Sequence, residues 1–376
     1  MSENELVWEI SPHTAAKHSI LKKYIQAWAP ILGQGSNNGR LIYIDGFAGP
    51  GEYKGGEDGS PIIVLKAIKE HKLSNNFKGT EFLNIFIEKN SERAKNLEKA
   101  IEERVGTLPT WIKLEVINGE FNAKLKSILD EIKNAGGRLA PCFCFVDPFG
   151  WSDIDYDVLS NIMQYEKAEL LITFMAGYVE RFVFDPKHIP SLERLYSESQ
   201  LENIKNSGKD ENLVTKYFLE NLKRKISDIL PKSELFTISF SMYSSQNRLE
   251  YHLIYLTKNC KGLEVMKRAM LESAKDGSYT FRDFDFDPKQ KTMIDYSRQK
   301  VWADEASAEC YNILLSKFGK NTNIPIDQVK KVITCYTKWV YNKDILVKLE
   351  ESNKIRVIIE RRKKGTFPDR GFIAIN

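Results

Sequence analysis

Three short stretches of the chain carry residue types that can do chemistry. The first is Asp45-Gly46-Phe47-Ala48-Gly49-Pro50-Gly51, which follows the apolar run 41–44. A buried strand that releases the chain into a Gly-x-x-Gly-x-Gly turn allows positive φ and lets a ligand approach the backbone closely. No Walker-type lysine follows the turn, so it suits a nucleoside ligand without phosphates better than a nucleoside triphosphate. The second is Glu88, at the end of the expected strand 82–87, where a carboxylate can accept both hydroxyls of a ribose. Glu88 lies 37 residues beyond Gly51, against roughly 20 in a dinucleotide fingerprint, which weakens a nicotinamide reading. Asn118 and Glu120 come after a further run, 113–117. There a side chain can receive an adenine amino group, and Phe121 can stack on the ring.

The third stretch is Asp147-Pro148-Phe149-Gly150, delivered by the apolar run 142–146. It offers an acid, a proline that stiffens the loop, and an aromatic ring. A nucleobase amine is a poor nucleophile because its lone pair is delocalised into the ring. Methylating it requires the nitrogen to be held in line with the methyl donor, with an acceptor for its hydrogens and a surface for a flipped base. Asp147, Pro148 and Phe149 are therefore the candidate catalytic group. Asp45, Gly46, Ala48, Gly49, Gly51, Glu88, Asn118 and Glu120 are the candidate cofactor group, with S-adenosyl-L-methionine (SAM) as the cofactor. Lys17 and His18 join them from a helix expected at 13–32, which can pack across the cofactor. Trp8, Trp28, Trp151 and Tyr178 sit near expected loop or helix ends; base stacking is open to them, with core packing the better reading of Trp28.

The elements that must position these residues alternate. Strands are expected at 41–44, 82–87, 113–117, 142–146 and 170–175. Helices are expected at 62–71, 91–104 and 122–134, the first opened by Ser60-Pro61 as cap and first-turn proline. Strand–helix alternation of this kind means a doubly wound parallel sheet with its active groups at the carboxyl ends of the strands. A mostly helical, charged insertion follows at 178–230, with a surface loop at 205–210. Runs 235–242 and 249–257 read as an antiparallel hairpin at the sheet edge, as in class I methyltransferases. Residues 258–274 are expected to be helical, and 277–300 to be a connector. Helices at 303–318, 326–335 and 342–352, then strands at 355–360 and 371–375 around a basic turn, form a winged-helix layout. The expected fold is α/β: a Rossmann-like class I methyltransferase sheet over residues 1–300, with a basic winged-helix-like domain over 301–376.

Bulk properties fit a folded, intracellular chain. Of 376 residues, 42% are hydrophobic and 28% charged, enough to bury a core. No stretch approaches the roughly 20 apolar residues of a membrane span, and the acidic start Met-Ser-Glu-Asn-Glu does not resemble a signal peptide; the expected localisation is cytoplasmic. The five cysteines include no Cys-x-x-Cys pair, so reduced, buried thiols and no metal site are expected. The net charge of +4 is uneven: residues 317–376 hold 14 basic and 6 acidic residues, a balance of +8. That points to a polyanion partner, with Arg361, Arg362, Lys363 and Lys364 as the candidate nucleic-acid contacts.

Several of these motifs resemble one family in combination. They are His13-Thr-Ala-Ala-Lys17-His18 with the Tyr-x-x-x-Trp helix that follows, Tyr43-Ile-Asp-Gly-Phe-Ala-Gly-Pro-Gly-Glu-Tyr53, Gly59-Ser-Pro61, Phe145-Val-Asp-Pro-Phe-Gly150 and Tyr251-His-Leu-Ile-Tyr255. Over roughly residues 10–300 the chain resembles the three-Cys-motif partner (TcmP) family, which is methyltransferase-like and implies a three-Cys-motif protein as a partner. The Lys-His helix and the glycine turn are also similar to those of bacterial large-subunit rRNA adenine-N6 methyltransferases. That resemblance implies that His18, Glu88, Glu120 and Asp147 face SAM or the base. Those enzymes carry Asp-Pro-Pro-Tyr where this chain has Asp147-Pro148-Phe149-Gly150; Asp-Pro-Phe-Gly is the form known in tRNA guanine-N2 dimethyltransferases. The expected function is SAM-dependent methylation of a nucleobase exocyclic amine, in RNA ahead of DNA. The alternative is a non-catalytic methyltransferase-like subunit that binds nucleic acid or protein, as in phage defence.

Overall fold

The computed structural model describes residues 6–33, 39–77, 79–208, 210–244, 246–274, 280–282, 294–359 and 363–376. The chain divides into two compact units. The first holds α1 (Pro12–Gly33), β1 (Gly39–Asp45), α2 (Ser60–Lys69), β2 (Thr80–Glu88), α3 (Ser91–Arg104), β3 (Ile112–Asn118), α4 (Phe121–Asn134), β4 (Cys142–Val146), α5 (Tyr156–Met163) and β5 (Ala168–Phe174). It continues with α6 (Ala176–Phe182), α7 (Ile189–Leu192), α8 (Glu198–Asn206), α9 (Glu211–Ile229), β6 (Phe236–Tyr243), β7 (Leu249–Thr257) and β8 (Thr280–Arg282).

Its eight strands lie in the order β3-β2-β1-β4-β5-β7-β6-β8. Strands β1 to β5 pair in parallel, while β7 runs antiparallel to both β5 and β6. This is the class I methyltransferase sheet: two βαβ halves and an inserted antiparallel strand. The central strands read as largely apolar runs because both faces are covered; every residue of β4 is buried, as is every residue of β5. The strand order reverses between β1 and β4, and doubly wound sheets place ligands at the carboxyl ends flanking such a reversal. Asp45 and Asp147 leave the sheet at those two ends.

α1 is fixed across the sheet by buried polar contacts. Tyr24 Oη donates to Glu169 Oε2 at 2.6 Å and lies 2.7 Å from Tyr255 Oη, while Thr257 Oγ1 donates to Glu169 Oε1 at 3.1 Å. A buried carboxylate is tolerated only with partners of this kind. Lys17 lies two turns before Tyr24 on the same helix face, so these contacts also set where Lys17 stands.

The second unit holds α10 (Cys260–Ser273), α11 (Ile294–Phe318), β9 (Asn323–Pro325), α12 (Ile326–Tyr336), α13 (Lys343–Glu351), β10 (Ile355–Ile358) and β11 (Phe372–Ile375). Its antiparallel sheet has the order β10-β11-β9. The expected boundary near residue 301 differs from the observed one, which falls after Lys258. α10 belongs with the second unit: Lys267 is 1% exposed, and its ammonium donates to the carbonyls of Thr334, Thr337 and Trp339 at 2.6, 2.6 and 3.3 Å. Two further expectations are corrected. Residues 277–300 are not wholly connector, since they contain β8 and the start of α11. The thiols are not all reduced, because Cys260 and Cys335 form a disulfide with Cα atoms 5.7 Å apart. Sequence spacing could not reveal it, since the packing of α10 on α12 closes a loop of 75 residues. On the chain-entropy model such a loop stabilises by about 4 kcal/mol. Dithiothreitol should therefore lower the melting temperature of the wild-type chain and leave that of Cys335→Ser unchanged. Equal shifts in both chains would exclude a stabilising role for the bond.

Candidate active site

The turn 45–51 is held by backbone bonds to three neighbours. Gly46 N–H donates to Phe145 O at 2.9 Å, Ala48 N–H to Ile87 O at 2.9 Å, and Gly59 N–H to Gly51 O at 2.7 Å. Gly49 and Gly51 have φ of 64° and 85°, the left-handed region that a side chain resists. At Gly46 the constraint is space, since an added Cβ would meet the Phe121 ring at 2.5 Å. Phe121 is 4% exposed, so it packs beneath the turn and is not free to stack on a ligand, contrary to the expectation for it.

Glu88 reaches this turn. Its Oε2 accepts from Gly49 N–H at 2.9 Å and its Oε1 from Asn90 N–H at 2.7 Å, and the residue is 8% exposed. Each carboxylate oxygen keeps a lone pair for a further donor. Asn118 donates its amide to the carbonyls of Glu88 and Lys89 at 2.9 and 3.0 Å, which ties the tips of β2 and β3 together. Glu120 stands at the surface, paired with Lys89 at 2.8 Å, and the ammonium lowers its pKa.

Asp147 lies at the tip of β4 and is bound at both oxygens by Lys17 from α1. Lys17 Nζ is 2.7 Å from Oδ1 and 2.6 Å from Oδ2, with side-chain exposures of 6% for Lys17 and 23% for Asp147. The ammonium also lies 5.1 Å from the centre of the Tyr251 ring. The structure thus brings Lys17 to the candidate catalytic acid rather than to the glycine turn. His18 is buried, and that burial, with the Lys17 charge next, holds its imidazole neutral with a pKa lowered to about 3. Its Nδ1 has no hydrogen-bond partner among the described residues. Pro148 is buried and Phe149 is 55% exposed.

A row of aromatics links the two motifs. The Trp8 ring lies 5.9 Å from that of Tyr53 and 5.9 Å from that of Phe149, edge-on to both. The Arg93 guanidinium sits 5.1 Å above Trp8, and His18 lies 5.7 Å from Tyr53. Tyr53 and Arg93 were not among the expected site residues. The sequence signal for Tyr53 is its place two residues after the glycine turn; Arg93 carries none. By contrast Trp28 is 3% and Trp151 6% exposed, and Trp151 donates to Ser191 Oγ at 3.1 Å, so both are packing residues. Lys363 and Lys364 are exposed, while Arg361 and Arg362 lie outside the described residues. Among the described residues no cluster of His, Cys, Asp and Glu is arranged to hold a metal ion, and no helix is long and apolar enough to cross a membrane.

Asp45 is fully buried beneath the turn. It accepts from Tyr43 Oη at 3.2 Å and Phe47 N–H at 3.3 Å, but burial outweighs these donors and pushes its pKa up to about 7. A carboxyl raised in the folded state contributes its full stability below its unfolded pKa, near 4, and that contribution is lost as pH rises to about 7. Asp45→Asn removes this dependence. The stability of Asp45→Asn relative to wild type should therefore grow between about pH 4 and pH 7, by on the order of 3–4 kcal/mol. His18 and His252, both lowered, act alike in the two chains and cancel. Urea titrations across that range check this, and a pH-independent difference would contradict it.

No family model matches the chain, and no curated protein matches it. Among solved structures, the O-methyltransferase from Bacillus cereus in complex with SAH aligns at TM-score 0.34 and 14% identity, over 66% of this chain and 82% of that one. Trm1 from Pyrococcus horikoshii with S-adenosyl-L-methionine aligns at TM-score 0.39 and 9% identity, over 99% and 92%. The O-methyltransferase TomG from Streptomyces achromogenes in complex with SAM aligns at 0.34 and 13%, over 67% and 92%. Likeness at this level does not bear on substrate or chemistry, and the fold assignment rests on the strand order itself.

Proposed function

We propose that the chain is a SAM-dependent methyltransferase acting on the exocyclic amine of a nucleobase, in RNA ahead of DNA. The observation that carries this reading is the hydrogen bond from Gly49 N–H to the Glu88 carboxylate at 2.9 Å. It makes one cradle of the tips of β1 and β2, and Asp147 leaves the sheet one strand further on. The residues present suit SAM. The two free lone pairs of Glu88 match a ribose diol, and the left-handed glycines leave the backbone open to close approach. His18 is uncharged and has an unsatisfied Nδ1, which does not oppose a sulfonium.

When bound, SAM supplies an electrophilic methyl group. The protein residues do the rest. Lys17 fixes both Asp147 oxygens, and each keeps a lone pair to accept a hydrogen of the acceptor amine. That interaction opposes delocalisation of the nitrogen lone pair and turns it toward the methyl group. The methylated nitrogen has one proton to shed, and Asp147 is the acceptor for it. Exposed Phe149 offers a face to the base, and buried Pro148 fixes the loop that carries it. In the second unit, the helix–strand–helix–helix–hairpin order supports a winged-helix reading, with Lys363, Lys364, Arg361 and Arg362 in its basic turn as phosphate contacts.

Transfer of a tritiated methyl group from SAM to total RNA and DNA tests the reading; label in nucleic acid as an N-methylated base is the expected result. SAM binding without transfer to either would leave the chain a binding subunit, and no SAM binding would remove the enzyme reading altogether.

A further inference from the structure

We propose that the outward face of the small sheet in the second unit is a stacking platform for single-stranded nucleic acid. In this platform a base lies on Phe372, and Arg356 and Arg370 hold the flanking phosphates. This rests on and deepens the nucleic-acid part of the proposed function, and adds a contact on the sheet to those of the basic turn.

The register defines the two faces. Ile358 is opposite Phe372, which is opposite Pro325; two residues along on the same face, Arg356 is opposite Ala374 and Ala374 opposite Asn323. The other face carries Ile324, Ile373, Ile355 and Ile375, at most 2% exposed. That face is core, so alternation sends Phe372 outward from the central strand. It is 42% exposed there, so part of the ring is open to solvent. Arg356 and Arg370 are exposed beside it. Together with Val357, Ile358, Ile359 and Phe372 they line a groove of about 950 Å³, and among the described residues lining it there is no carboxylate. Among the described residues the acid nearest in sequence, Asp369, is already paired with Lys330 at 2.6 Å, and Lys363 and Lys364 are exposed on the connecting turn. An aromatic on an open sheet face between arginines is the chemistry that binds unpaired bases, because every base has a π-face and every linkage a phosphate.

The other route, insertion of a helix into a duplex groove, is poorly served. α13, the fourth helix of this unit, carries Lys343 and Lys348 against Asp344, Glu350 and Glu351. Lys348 is moreover paired with Asp304. A helix with a net negative charge is a poor reader of a duplex, whereas the hairpin beside it is basic.

Fluorescence anisotropy of the full chain with a labelled single-stranded RNA dodecamer of mixed sequence tests this. The same sequence as single-stranded DNA and as a duplex forms two further arms. The single strands should bind more tightly than the duplex, and the RNA and DNA arms show whether the 2′-hydroxyl contributes. Phe372→Ala should weaken single-strand binding roughly tenfold or more. Arg356→Gln combined with Arg370→Gln should lower the slope of log affinity against log salt by about 1.4, or about 0.7 for each phosphate contact. These residues are exposed, and circular dichroism melts confirm that the variants fold. Wild-type affinity and slope in both variants, a preference for the duplex, or no RNA binding by the wild type would each overturn the platform. SAM titration of the same samples separates the two readings: RNA binding that depends on Phe372 without SAM binding keeps the platform and removes the methyltransferase, and the reverse removes only the platform.

Discussion

Asp147→Ala should abolish methyl transfer, lowering the rate by about three orders of magnitude while changing SAM affinity only a few-fold. The carboxylate lies at the tip of β4, outside the Gly49–Glu88 cradle, so its loss removes the hydrogen acceptor and leaves the cofactor contacts in place. The variant should also lose stability. Lys17 is 6% exposed and has both oxygens of Asp147 as partners, and stranding a buried charge costs on the order of 3–5 kcal/mol. A lost rate could then be blamed on folding, and the pair itself supplies the control. Lys17→Ala with Asp147→Ala removes both charges, so its melting temperature should recover toward wild type while its rate stays at that of Asp147→Ala. A double variant that recovered both would make Asp147 structural; a single variant that kept the wild-type rate would remove it from the chemistry.

Glu88→Ala should weaken SAM binding by about a hundredfold or more and leave the rate at saturating SAM within a few-fold of wild type. Two backbone N–H groups, on Gly49 and Asn90, lose a charged acceptor. Hydrogen bonds to a charged group contribute about 1.5–3 kcal/mol each, and the ribose hydroxyls lose the same oxygens. Glu88→Gln, which keeps the shape but offers one carbonyl oxygen in place of two, should fall between. Titration calorimetry together with saturation kinetics reads both quantities. A rate defect at unchanged affinity would place Glu88 with the acceptor instead of the cofactor.

The sheet was legible because its strands announce themselves: residues 41–44, 82–87 and 142–146 are apolar but for Asn84, each ending in an acid or a glycine turn. α5 was missed, a short helix of 8 residues crowded between two strands. β8 was missed because a three-residue strand has too short a pattern to read. At the site, the sequence placed Asp45, Glu88 and Asp147 at strand ends. It could not say that Asp45 faces inward and Glu88 reaches the turn, since which way a strand-end side chain points depends on the register of its neighbours. Lys17 was grouped with the cofactor because its helix precedes β1; its partner is 130 residues away, a distance only tertiary packing closes. Phe121 looked like a stacking ring and is a packing one because Gly46 leaves it a space.

The most direct test is isothermal titration of the wild-type chain with S-adenosylhomocysteine, the product that keeps the adenosyl group and lacks the methyl. One site per chain with micromolar affinity, lost in Glu88→Ala, is the expected result. A folded wild-type chain that gives no binding heat and no shift in melting temperature with this ligand would contradict the cradle formed by the turn 45–51 and Glu88.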